Sequence, residues 1–105
     1  MAESKEKMET NPSYKTAIEC LKKVEDPELN LDVWTLGLIY GIDIKDKNIT
    51  ITMTFTSPTC PYAPQLMAQI KYVLEDKGYK EPKIEITFEP VWEPSEEVKE
   101  LLGLA

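Results

Sequence analysis

The sequence predicts a small α/β domain of the α+β type: a mixed sheet of three or more strands carrying two main helices on one face. Three observations predict it. Residues Ile49 to Thr56 alternate apolar side chains with threonine without a break, which is the period of a strand with one buried face. Tyr14, Ala17, Ile18, Leu21 and Val24 recur at helical spacing, as do Leu66, Ile70, Val73 and Leu74, with Met67 at the flank. Turn signals separate these segments so that the element order reads α-β-β-α-β-α.

Residues 1–11 show no apolar periodicity and are expected to form a disordered lead-in, with residues 12–105 as a single domain. Asn11-Pro12 starts the first helix, a capping side chain followed by proline at the first helical position. The helix should run from about Pro12 to Glu25, where Asp26-Pro27 stops it, because a residue before proline avoids the helical region. Residues 26–35 mix carboxylates with apolar side chains and have no clear period, so they read as a structured loop. A strand follows from Leu36 to about Ile44, with Gly41 marking a bulge or a close backbone approach. Lys45-Asp46-Lys47-Asn48 is a turn, which makes the Ile49–Thr56 strand the antiparallel partner of its predecessor.

Ser57-Pro58-Thr59-Cys60-Pro61 breaks that strand. The second helix ends at Lys77-Gly78, a cation in the last turn followed by a C′ glycine. In the third strand Ile84, Ile86 and Phe88 alternate with Glu85, Thr87 and Glu89. A right-handed crossover through the second helix would set this strand parallel to one hairpin strand. Pro90-Val91-Trp92-Glu93-Pro94 cannot be regular structure. Ser95 then caps a short terminal helix through Leu102, closed by Gly103.

Composition narrows the chemistry. The chain has 105 residues, no histidine, no arginine, two cysteines and a net charge of −7. One domain of this length can bury about two-thirds of its unfolded surface. Without histidine there is no Ser-His-Asp or Cys-His catalysis within the chain. An acidic surface is not drawn to nucleic acid by counterion release. No stretch approaches the ~20 apolar residues of a membrane helix, and Met1 to Thr10 has no apolar signal-like core. The expectation is a cytoplasmic protein with reduced thiols and no nucleic-acid or membrane partner.

Two places could carry chemistry. Cys60 falls between a strand and a helix. Helix N-termini favour a thiolate, and Pro58, Pro61 and Pro64 stiffen the turn. If Pro61 is the first helical residue, Cys60 is the N-cap; if Pro64 is, Cys60 lies about one turn earlier and the field is weaker. Read locally, Cys60 is either an activated thiol or a small buried hydrophobe. Cys20 lies mid-helix and reads as structural. The second place is the acidic loop, with Asp26, Glu28 and Asp32 within seven residues. Such carboxylates could serve acid–base work or a hard cation, but the spacing matches no calcium loop, and capping a turn is the simpler role. Iron–sulfur clusters usually take four thiolates, so a cluster on Cys60 needs further ligands from a second subunit, a partner protein, a small thiol or nearby oxygens.

Four segments in order resemble the SufT/PaaD-like metal–sulfur cluster biosynthesis family. They are Asp26-Pro27-Glu28-Leu29, Leu31-Asp32-Val33-Trp34-Thr35-Leu36-Gly37-Leu38-Ile39-Tyr40, Met53-Thr54-Phe55-Thr56-Ser57-Pro58-Thr59-Cys60-Pro61, and Pro90-Val91-Trp92 with Ser95 to Gly103. The resemblance covers about residues 12–104. It implies a fold like the C-terminal domain of NifU-type proteins and a role in maturing iron–sulfur proteins. It also implies an accessory factor rather than a catalyst. The family's characteristic cysteine falls on Cys60, and its other polar motif positions fall on Asp26, Glu28, Asp32 and Thr56. Cys60 would ligate, transfer or target a transient or shared cluster, with assembly proteins and apo-client proteins as partners and a homodimer as one way to share it. The family tail often reads Pro-Pro-Trp and carries an arginine; here Val91 replaces the second proline and arginine is absent. Two alternatives stand beside this reading: a thiol-dependent enzyme with Cys60 as nucleophile, and a purely structural adaptor with Cys60 inert.

Overall fold

The computed structural model describes residues 8–27, 29–56 and 61–103. A single 3₁₀ turn, Pro12–Tyr14, leads into helix α1, Lys15–Leu21. Strand β1 spans Ile39–Lys45 and β2 spans Asn48–Met53; helix α2 is Ala63–Asp76, β3 is Lys80–Ile86 and α3 is Glu96–Leu102. The sheet order is β1-β2-β3, with β1 antiparallel and β3 parallel to β2. The expected α+β architecture and its mixed sheet are both present.

The Asn11 side chain accepts from the Ser13 N–H and caps the entry turn with Pro12 behind it. The helix then ends four residues earlier than its apolar spacing predicts. Val24 is still buried, but it is held by a turn in which its N–H reaches Leu21 O at 3.2 Å. The competitor is the chain beyond it. Val33 N–H donates to Val24 O and Asp26 N–H to Leu31 O, both at 2.9 Å. Those cross-links recruit the backbone that a longer helix would need.

Gly41 marks a bulge, as expected, at a register shift between Ile39 and Gly41. In β2, Ile49, Ile51 and Met53 are fully buried while Thr50 and Thr52 face outward. The alternation predicts a strand through Thr56, yet the ladder stops at Met53. Thr54 turns its N–H to Leu38 O at 2.8 Å, and both Thr54 and Phe55 are buried. Strand β3 starts before its expected position, at Lys80, whose N–H donates to Lys47 O at 2.8 Å. Pro82 and a positive φ at Glu81 hide this start from the sequence pattern.

One apolar cluster joins Ile18, Leu21 and Val24 to Ile49, Ile51 and Met53 of β2 and to Leu66, Ile70 and Leu74 of α2. Each such side chain contributes about 1.5–3 kcal/mol on full burial. Met8 and Val98 complete the cluster, so packing begins upstream of Pro12, while the lead-in at residues 1–7 lies outside the described residues. Helix α3 matches its sequence signals: Ser95 Oγ accepts from Val98 N–H and Gly103 closes the helix in the left-handed region. Among the described residues no helix is long and apolar enough to cross a membrane.

Candidate functional site

The acidic loop is a short pair of facing arms. Asp26 and Leu31 share a backbone bond, Glu25 and Asp32 form an antiparallel bridge, and Val33 returns to Val24. Asn30 makes the reversal at φ 57, a conformation asparagine tolerates, and donates its N–H to Asp26 O at 2.8 Å. This brings Asp26 and Asp32 onto adjacent arms. Each carboxylate then turns to its own downstream backbone. Asp26 Oδ1 accepts from Leu29 N–H at 3.3 Å, and Asp32 Oδ2 accepts from Thr35 N–H at 2.9 Å. Asp26 is only 3% exposed. The geometry is that of side chains capping turns, the simpler of the two roles expected for the loop. Among the described residues no three cysteine or carboxylate side chains gather to hold a metal ion.

The loop is fastened to the neighbouring segments. Leu38 N–H donates to Val33 O at 3.1 Å, and Thr54 N–H donates to Leu38 O. This relay sets the start of the β2–α2 connection beside the loop. Thr56, two residues further, is exposed. Glu28 and Cys60 lie outside the described residues. Helix α2 begins at Ala63, with Tyr62 as N-cap, no side-chain cap bond, and Pro64 in its first turn. The N-cap is therefore Tyr62, two residues after Cys60 in the sequence.

Cys20 is a free thiol, 1% exposed, whose Sγ donates to Val73 O at 3.6 Å. Burial pushes its pKa up, outweighing the nearby Lys23 and Lys77 ammonium groups that pull it down. A buried thiol held to a helix carbonyl is a packing residue.

Two contacts across the fold were not legible in the sequence. Trp92 Nε1 donates to Leu36 O and Tyr40 Oη donates to Pro90 O, both at 2.8 Å. They clamp the proline-rich segment 87–95 onto the end of the acidic loop and onto β1. Gly37 is needed here. Its φ is +79°, in the left-handed region that favours glycine, while a Cβ there would make only an ordinary contact with Trp92 Nε1 at 3.9 Å. The conjunction of Gly37 and Trp92 in the sequence was the available signal, but nothing local pairs them. A groove of about 540 Å³ opens elsewhere, between the turn after α1 and α2, lined by Lys23, Val24, Glu25, Gln69, Tyr72 and Val73. None of Asp26, Asp32 and Thr56 lines it.

The chain matches the family described as iron–sulfur cluster assembly protein over residues 15–86. It is 43% identical over 77 residues to an Fe-S protein maturation auxiliary factor of Porphyromonas gingivalis, covering 71% of this chain and 73% of that protein. It is 39% identical over 71 residues to the Fe-S protein maturation auxiliary factor SufT of Staphylococcus aureus, covering 66% and 81%. The crystal structure of a domain of unknown function, DUF59, from Bacillus anthracis superposes with a TM-score of 0.81 at 31% identity, covering 94% of this chain and 99% of that one. The relatives' names are those of auxiliary factors, in keeping with an accessory rather than a catalytic role, and they support a part in iron–sulfur maturation. With this match spanning both the acidic loop and the connection that contains Cys60, the chain belongs to the iron–sulfur cluster assembly protein family.

Proposed function

We propose that this protein is a maturation factor that holds an iron–sulfur cluster transiently through Cys60 and passes it to client proteins. The observation that carries the reading is the family match over residues 15–86, which contains Cys60 together with the acidic loop. Chemistry supports the choice of residue. Cys20 is buried and committed to Val73 O, which leaves Cys60 as the thiolate ligand the chain can offer. A cluster usually takes four thiolates. The other ligands must then come from a second copy, a carrier or a client, and a shared cluster is one that can leave. The capped aspartates act as a stiff base for the β2–α2 connection, which starts beside them at Thr54.

The test is anaerobic reconstitution with iron and sulfide, read by visible absorbance, bound iron and mass of the complex. Wild type and Cys20→Ala should take up the chromophore, and Cys60→Ser should lose it. Uptake by Cys60→Ser equal to wild type would overturn the reading.

A further inference from the structure

The chain's negative charge is not spread evenly. Residues 81–100 hold seven glutamates, Glu81, Glu85, Glu89, Glu93, Glu96, Glu97 and Glu100, against Lys83 and Lys99. That segment therefore carries −5 of the net −7. All seven glutamates are exposed. Large apolar side chains are exposed among them: Ile86 at 44%, Phe88 at 38% and Val91 at 76%.

The backbone beneath this surface has an open side. β3 is an outer strand of the sheet, with β2 on one side and no strand on the other among the described residues. Thr87 N–H donates to Met53 O at 2.9 Å. In a regular strand, successive residues turn their N–H and C=O groups to opposite sides. Ile84 and Ile86 therefore direct theirs away from β2, off the edge of the sheet. Outer strands are commonly guarded by proline and lysine, and the first half of β3 is, by Pro82, Lys80 and Lys83. The second half, from Ile84 to Ile86, has no proline or lysine. Its pairing register sets Ile84 against Ile51 and Ile86 against Met53, so Ile84 and Ile86 lie on the apolar face and Glu85 on the opposite one.

We propose that the second half of β3 docks an extended, lysine- or arginine-bearing segment of a client protein, which adds as a further strand. The added strand would place apolar side chains beside Ile86 and cationic ones beside Glu85. Charge decides the occupant. Although Lys83 could meet Glu85 of a second copy, residues 81–100 of that copy would bring a further net charge of −5 and be repelled overall, whereas a basic segment is attracted. The inference rests on the reading that this chain hands its cargo to another protein, and adds the chemistry by which that protein is held.

A short synthetic peptide alternating lysine and valine, labelled for fluorescence anisotropy, is the probe. It should bind the cluster-free protein, weaken as salt is raised, and protect the Ile84 and Ile86 amides from hydrogen exchange. A peptide alternating glutamate and valine should bind at least about tenfold more weakly, and Glu85→Lys should weaken the lysine peptide severalfold. Cys60→Ser should bind it like wild type, so loss of cluster uptake and loss of docking are separate results. Three outcomes would overturn the proposal: equal binding of the two peptides, binding that leaves both amides unprotected, or protection of those amides by self-association without peptide.

Discussion

The two acidic regions of this molecule use the same functional group in opposite ways. In the loop at 26–32, Asp26 and Asp32 are spent internally, each accepting a backbone N–H a few residues downstream. In the segment 81–100 the glutamates are exposed, and Glu96 with Lys99 at 3.7 Å is a surface pair worth little to stability. The chemical difference is side-chain length. An aspartate reaches the N–H three residues on and closes a turn, whereas a glutamate carries its charge further out on an additional rotor. One region is therefore scaffold and the other is surface.

The largest expected effect follows from that contrast. Asp26→Ala removes a buried acceptor and should cost about 1–3 kcal/mol in urea unfolding, and Asp32→Ala about 1 kcal/mol, with Asp32→Asn recovering most of it. Glu85→Ala should change stability by less than about 0.5 kcal/mol. Comparable losses in the loop and in the 81–100 segment would break the distinction between scaffold and surface.

The contrast was partly legible in the sequence. Composition gave the acid count, and Asp26 before Pro27 read as a turn. Local signals also located α3 to the residue, because Ser95 and Gly103 act on their immediate neighbours. Elements ended by distant partners were misjudged. The first helix lost its last turn to a bond from Asp26 to Leu31 O and one from Val33 to Val24 O, and β2 lost its last residues when Thr54 turned to Leu38. Periodicity reports which face a side chain presents, and it persists through Val24 and Phe55. It does not report which carbonyl wins a given N–H. The site was legible in its residue types, while the clamps from Trp92 and Tyr40 reach across more than forty residues, a range at which spacing carries no signal.

Those clamps join the two regions, so weakening them sharpens the comparison. Trp92→Phe keeps most of the ring but leaves Leu36 O without its donor, and should cost about 1–2 kcal/mol. If the 81–100 surface is positioned by the loop, amide exchange should quicken in residues 87–95 of this variant while α2 keeps its protection. Uniform quickening through α2 would mean that Trp92 supports the core at large rather than this junction.

A smaller effect than that of Trp92 depends on pH. Tyr40 donates to Pro90 O, and burial raises its pKa above the ordinary phenol value of about 10. A group whose pKa is raised on folding contributes its stability below the unfolded value and loses it as pH climbs through the folded one. The difference in unfolding free energy between wild type and Tyr40→Phe should therefore be about 0.5–1 kcal/mol near neutral pH and shrink above about pH 10. Cys20 and Tyr79, also raised by burial, titrate in both proteins and cancel in the difference. A difference that stays constant through this range would show that the Tyr40 ring, rather than its proton, holds the 87–95 segment to β1.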